Sequence, residues 1–466
     1  MAKRILFVTA HFPPNDAIGT QRMTKLMKYL HRRGWQVFVL TLREDYFPNA
    51  RGDYRVYLPD SVRVYRTGKL DPFEIWDWLK RRLGRTGRAE APAPGRSSSK
   101  SEHSSKSGSG WWFELKELVT RILQYPDRYN GWIPFIFWKA WRIIRNHRID
   151  YVLVSSPPHS PHLPINWLHR WLRFTYIADF RDPWARSQWV RERDHLYQRL
   201  QHRLDDVFEG QTVREADLLI YNTDHLREDF EQFYGTAQLA SRAFTLTNGF
   251  DPEMKVLLGN GRMREEEAAA GRQFIIRHTG NLYKKRNPEP ILQALAEVKA
   301  RYPEAGRRVR LEFIGPLDEA LHYLHGLVES LGLEKQVAFL PSRPYLEILN
   351  QLHQADWLLL LQPGTTIQVP AKFFDYLLSG RPIWAVVEPE SVGERLVREM
   401  GNGFVSYSSR PETLRAFFQQ LIAGRLKPSR PRSEALERFS AQHLAEQLEE
   451  ILLASNGQKS EKRASQ

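Results

Sequence analysis

The chain contains no cysteine among its 466 residues, which excludes a disulfide scaffold, a cysteine-ligated zinc site and a cysteine nucleophile. Long apolar runs are missing too. No segment reaches the ~18 uncharged apolar residues of a membrane span. Met1-Ala2-Lys3-Arg4 passes straight into Ile5-Leu6-Phe7-Val8 and then Pro13-Pro14, too short an apolar stretch for a secretory signal. These absences predict a soluble or peripheral protein in the cytoplasm. No candidate strand end carries Gly-x-Gly-x-x-Gly, which argues against a nicotinamide dehydrogenase, whose cofactor pyrophosphate needs those glycines between strand and helix. Acid is in short supply: 54 Asp and Glu face 68 Lys and Arg, a formal charge of +14. That surplus predicts an anionic partner, whether nucleic acid, acidic lipid or a phosphorylated substrate.

What is present is an ordinary globular composition, 42% hydrophobic with 12% aromatic, in a chain too long for one core and suited to two domains. An apolar strand at 4–10 is followed by Met23, Leu26, Met27 and Leu30 at helical spacing, then Gly34 and a second apolar strand at 35–41. This is a parallel βαβ opening. Residues 62–67, 151–155, 174–179 and 217–222 continue the strands of a first α/β domain over residues 1–246. Residues 84–110 are dominated by Ser, Gly, Pro, Ala, Arg and Lys, too little apolar surface to offset ordering entropy, and are expected to be a disordered insertion. After a linker at 247–272, strands at 273–279, 309–314, 336–340, 357–361 and 382–387 alternate with helices in a second α/β domain over residues 273–432. An amphipathic helix at 433–454 falls outside this alternation and is expected to pack back on the first domain, ahead of a flexible tail at 455–466.

Four strings occupy informative places. Thr247-Asn248-Gly249-Phe250-Asp251 joins the two alternations. His278-Thr279-Gly280-Asn281 ends a strand, with Lys284-Lys285-Arg286 just beyond it. Phe313-Ile314-Gly315 ends the next strand. Pro370-Ala371-Lys372-Phe373-Phe374-Asp375 opens a helix that runs on to Gly380. In this order they resemble the retaining family 4 glycosyltransferases, in particular the branch that assembles bacterial surface saccharides. Ala178-Asp179-Phe180-Arg181-Asp182-Pro183-Trp184, after a first-domain strand, resembles a string of that branch.

The resemblance implies two Rossmann-like domains facing across a cleft, the GT-B type of fold. It also implies transfer of a sugar from a nucleotide-diphosphate sugar with retention of configuration, without a metal or other cofactor. The donor side would be Gly280, Asn281, Gly315, Leu340, Thr366, Ile367, Lys372 and Asp375, with Lys285 and Arg286 stabilising the leaving diphosphate. Asp179, Arg181 and Asp182 would orient acceptor or sugar, and His11, Gly19, Arg22 and His159 would line the same cleft. A departing diphosphate gains negative charge, so cations and helix-start amides are what the chemistry requires. The family pattern has two glutamates separated by seven residues. Asp375 matches the second, and Ile367 stands where the first would be, which leaves the donor sugar open.

Two other classes stay in view. An epimerase of the same fold would turn over sugar nucleotides without an acceptor. A basic nucleic-acid-binding protein would fit the charge, but the chain shows no recognition motif and its basic residues are dispersed, so no specific nucleic acid is expected. Trp76, Trp78, Trp111, Trp112, Trp132, Trp138 and Trp141, interleaved with Lys80, Arg81, Arg82, Arg121, Lys139, Arg142 and Arg145, suit the headgroup zone of an anionic membrane. Peripheral attachment to the inner face, with a saccharide or lipid-linked acceptor, is therefore expected.

Overall fold

The structure is a computed structural model that describes residues 3–15, 17–48, 58–70, 125–185, 196–258, 273–426 and 429–464. The expected insertion at 84–110 lies outside these residues, as do Trp76, Trp78, Trp111, Trp112, Lys80, Arg81, Arg82 and Arg121. Strands whose faces are both covered by helices read as unbroken apolar runs, and several of the observed strands are such runs. In the first sheet they are β1 (Arg4–Val8), β2 (Gln36–Leu42), β3 (Arg63–Thr67), β4 (Tyr151–Ser156), β5 (Thr175–Phe180), β6 (Leu218–Tyr221) and β7 (Ala243–Thr245). All are parallel, in the order β3-β2-β1-β4-β5-β6-β7.

The second sheet repeats the design with β8 (Phe274–Thr279), β9 (Val309–Ile314), β10 (Val337–Leu340), β11 (Trp357–Gln362), β12 (Ile383–Val387) and β13 (Gly403–Tyr407), parallel in the order β10-β9-β8-β11-β12-β13. Strand order reverses between β1 and β4 and again between β8 and β11. The carboxyl ends of strands at such a reversal splay their loops apart and leave a crevice, so the loops after these four strands form the site.

One face of the first sheet packs under the helices Ile133–His147 and His162–Trp171. The other face is covered by helix Ile18–Arg32 and, as expected, by the C-terminal helix, whose Leu444, Ala445, Leu448 and Leu452 join Ile5, Phe7, Met27, Leu30 and Trp35 in one core. Glu449 on that helix accepts from Trp35 Nε1 at 2.9 Å and pairs with Arg33 and Lys3. The expected single helix at 433–454 is instead two, Ser433–Glu437 and Ala441–Ala464. Phe250 causes the break: its N–H donates to Phe439 O at 3.0 Å and its carbonyl accepts from Ala441 N at 2.8 Å, pairing the linker with the turn between the helices.

This pairing explains the Asn-Gly string. Gly249 does not use a left-handed backbone; a Cβ there would overlap Phe439 O. Asp251 accepts from Lys28 Nζ and Tyr29 Oη, both at 2.7 Å, and pins the linker to the first helix. Trp132, expected at a membrane surface, is fully buried. Its indole fills the first core and donates to Thr67 Oγ1 at 2.7 Å, a partner that a wet surface would not need to supply.

Candidate active site

At the head of the second sheet a cavity of about 300 Å³ is lined by Gly280, Gly315, Arg286, Lys372, Asp375 and Tyr345, among others. Both glycines have positive φ, +111° and +147°. A Cβ on Gly315 would sit 2.5 Å from Gly280 O, and one on Gly280 would sit 2.8 Å from Lys372 Nζ. The two strand ends approach so closely that a side chain on Gly280 would crowd the space beside the ammonium.

Lys372 opens the helix Lys372–Ser379. Its Nζ lies 3.2 Å from His278 Nε2, while His278 Nδ1 lies 2.9 Å from Leu359 O. Burial, then the Lys372 charge, hold His278 neutral, its pKa well below the usual value. Nδ1–H therefore donates to the carbonyl, and Nε2 is left to accept from the ammonium. Burial, with Arg286 next, pushes the Lys372 pKa far down. Arg286 donates through Nε and Nη2 to Gln362 Oε1, at 3.0 and 2.5 Å, and burial lowers its pKa also. Neither cation has a described carboxylate within ion-pair distance. Two desolvated cations held by neutral acceptors form an electrostatic vacancy for an anion.

The other donor-side residues have distinct places. Asn281 lines the cavity. Leu340 O accepts from Gly315 N at 3.0 Å, and Thr366 O from Val392 N at 2.9 Å, so the carbonyls of these two are taken up by the fold. Ile367 packs its side chain on the first domain's core, and its carbonyl accepts from Thr223 Oγ1 at 2.6 Å. Asp375, with its pKa raised by burial against Lys25, accepts from Tyr345 Oη at 2.8 Å. Lys285 runs beside Gly364 and lines neither this cavity nor the next; Arg286 lines both.

That second cavity, about 400 Å³, lies between the domains and is lined by Arg181, Asp182, Asn222, Asn248, Gln362 and Gln368, with Arg286, Pro370 and Ala371 shared with the first. Asp182 accepts from Gln368 Nε2 at 2.6 Å across the cleft, and burial raises its pKa. Arg181 donates through Nε to Ser156 O at 3.2 Å and through Nη2 to Pro157 O. A Cβ on Gly19 would overlap Arg181 Nη1, so this glycine lets the guanidinium reach the first turn of helix Ile18–Arg32.

Four cleft residues are held by the protein itself. Asp179 pairs with Arg22 Nη2 at 2.8 Å and accepts from Ser155 Oγ at 2.8 Å; Arg22 also donates to Leu246 O and Thr247 O, at 2.8 and 2.7 Å. His159 stacks on Trp184 at 4.5 Å, its backbone N–H donates to Asp127 Oδ2, and burial keeps it neutral. His11, behind Gly19, is pushed down to about 3 by burial and then by Arg181. Sequence reasoning missed Gln362, Asn222, Tyr283 and Tyr345. Gln362 had a usable sign, because it ends an apolar strand at the switch point.

Diphosphate binding should be linked to protons at Lys372. An anion beside the ammonium raises its pKa toward the ordinary value, so affinity for pyrophosphate should fall as pH rises between the free-state and bound-state pKa values, with net proton uptake in that window. Calorimetry in buffers of different ionisation enthalpy, from about pH 6 to about pH 9, reads this directly. An observed enthalpy independent of buffer throughout would rule the linkage out.

Residues 19–241 match the family described as Glycosyl transferase 4-like domain. A D-inositol 3-phosphate glycosyltransferase from Corynebacterium urealyticum is 29% identical over 232 residues, covering 46% of this chain and 50% of the relative. The chain spans half or less of the length of the curated relatives it matches. Among solved structures, an alpha,alpha-trehalose-phosphate synthase (UDP-forming) from Burkholderia vietnamiensis superposes with a TM-score of 0.61 at 12% identity, over 99% of both chains. A putative UDP-N-acetylglucosamine 2-epimerase from Listeria monocytogenes does so with a TM-score of 0.52 at 10% identity, over 99% and 98%. At such identities the likeness is one of fold. Residues 19–241 are thus similar to a glycosyl transferase 4-like domain, and the two facing parallel-sheet domains have the GT-B type of fold.

Proposed function

We propose that the chain transfers a sugar from a nucleotide-diphosphate sugar to a saccharide or lipid-linked acceptor with retention of configuration, in the assembly of a surface polysaccharide or glycolipid. The observation that supports this most is the pair of partly buried cations, Arg286 and Lys372, with no acid partner among the described residues, Lys372 in the first cavity and Arg286 where the two cavities meet. The diphosphate lies across them and the amides at the start of helix Lys372–Ser379. The nucleoside extends toward Asp375 and Tyr345. The sugar projects past Arg286 among the carboxamides of Gln362, Gln368, Asn222 and Asn248. The bond from the anomeric carbon to phosphate breaks, the acceptor oxygen bonds on the same face, and its proton passes to the departing phosphate. Charge developing on that phosphate falls to Arg286 and Lys372 without a metal.

A thermal-shift panel of uridine, guanosine and adenosine diphosphate sugars tests the donor reading. One class at about 100 times its dissociation constant stabilises the fold by ~2.7 kcal/mol. No shift with any class overturns the reading. Turnover of the stabilising sugar nucleotide without any acceptor, giving an epimer, would favour an epimerase on this same fold.

Peripheral attachment to the inner membrane face belongs to this reading. Trp138, Trp167 and Trp171 are 61%, 45% and 73% exposed on two adjacent helices. Arg142, Arg145, Arg170 and Arg173 stand exposed around them. Each cation near anionic lipid contributes roughly 1 kcal/mol, and the rings suit the headgroup zone. Flotation should bring the protein up with anionic liposomes, less so with neutral ones or at high salt, and Trp138→Ser with Trp171→Ser should weaken it. Equal absence from both liposome fractions would sink the membrane claim.

A further inference from the structure

We infer that the cleft takes a second anionic group besides the donor diphosphate, a phosphate or carboxylate borne by the acceptor or by the transferred sugar, and that Arg181 is the residue that binds it. The inference rests on the donor reading above, which assigns Arg286 and Lys372 to the diphosphate. Arg181 lies on the other domain, where Asp182 and Asp179 act on its charge from a distance, Asp179 being ion-paired with Arg22. It is partly buried, and its hydrogen bonds run to the carbonyls of Ser156 and Pro157. No described carboxylate lies within ion-pair distance of it. The neighbouring Asp182 attenuates the field, but its carboxylate is turned to the Gln368 amide and burial favours its neutral form.

Desolvating a guanidinium for neutral partners is costly unless a ligand supplies the counter-charge. Three further features aim the group at the cavity. Arg181 and Asp182 line it. Nη1 occupies the space that a Gly19 side chain would fill, at the positive end of helix Ile18–Arg32. His11, beside Gly19 as well, is held neutral, and Asp179 is taken up by Arg22. A cation placed at a helix N-terminus opposes the helix dipole, and an anion bound between them satisfies both. Sugar hydroxyls alone would be served by the carboxamides on the opposite wall.

Calorimetry on the full chain tests this with defined probes. Pyrophosphate is titrated first; its failure to bind rejects the donor reading, whatever Arg181 does. With pyrophosphate saturating, glucose 6-phosphate is compared with glucose for an acceptor-borne charge. Without it, glucuronic acid 1-phosphate is compared with glucose 1-phosphate for a sugar-borne one. In one arm the probe with the extra charge should bind about tenfold tighter to wild type, and Arg181→Gln should erase that preference while changing pyrophosphate affinity by less than about threefold. Because Arg181 also holds two carbonyls, Gly19→Ala serves as the second variant. Its methyl displaces the guanidinium, keeps the charge count and favours the helix, and it should erase the same preference. Equal binding of charged and neutral probes in both arms overturns the inference, as does a preference that survives both substitutions.

Discussion

Arg286→Ala is expected to slow transfer by about 10²- to 10³-fold, the range seen when one preorganised group facing developing transition-state charge is removed. The loss should appear in kcat as well as kcat/KM, because the diphosphate is more negative in the transition state than in the bound donor. Lys285→Ala, whose side chain runs beside Gly364 outside both cavities, should stay within about threefold of wild type. The signature that separates a charge-stabilising role from a structural one is the direction of the stability change. Arg286 is a partly buried cation on a neutral amide, so its removal should leave the unliganded protein as stable or more so. A melting temperature that falls along with activity would make Arg286 a structural residue.

Arg22→Ala should carry the largest stability effect, about 3–5 kcal/mol, because it leaves the Asp179 carboxylate buried and unpaired. The side chains are 3% and 1% exposed. Arg22 also ties the linker carbonyls of Leu246 and Thr247 to the first helix, so the linker loses its anchor at the same time. Asp179→Asn should cost less, since an amide still accepts from Ser155 and Arg22, and should change kcat little in protein that remains folded. Chemical denaturation followed by activity measured on the folded fraction resolves the two. A stable Asp179→Asn protein with kcat reduced a hundredfold would mean that Asp179 touches the reacting groups; such a residue could not also be a pure anchor.

The elements that sequence made readable are those whose environment is uniform. β1 and β11 are apolar apart from Arg4 and Gln362 at one end of each, because helices cover both faces, and their ends could be placed within a residue or two. The strands β7 (Ala243–Thr245) and β13 (Gly403–Tyr407) sit at sheet edges, where mixed burial removes the apolar run, and both escaped notice. The split of the expected 433–454 helix was unreadable because Phe250, nearly two hundred positions away, makes it. Trp132 misled for a related reason: an indole flanked by basic residues looks interfacial until a distant Thr67 offers its N–H a buried partner.

The site divided along the same line. Residues that must be glycine, Gly280 and Gly315, or cationic, Arg286 and Lys372, carried their chemistry in their identity. Carboxamides did not. Gln362, Gln368, Asn222 and Asn248 are neutral and scattered, and only the facing of two domains gathers them. Asp179 was readable as a cleft residue; its partner Arg22 was not assigned to it, because the pair joins a helix to a strand 157 positions later.

The C-terminal helix that completes the first domain also sets an order in time. During synthesis β1 to β7 emerge well before Leu444, Ala445, Leu448 and Leu452, so one face of the first sheet, with Ile5, Phe7, Met27 and Leu30, waits for its last partners until the whole second domain has left the ribosome. The second domain can close its own core by then. The domain begun first is thus the one finished last, and the nascent chain carries a partly uncovered apolar face through most of its translation, the kind of surface that chaperones occupy.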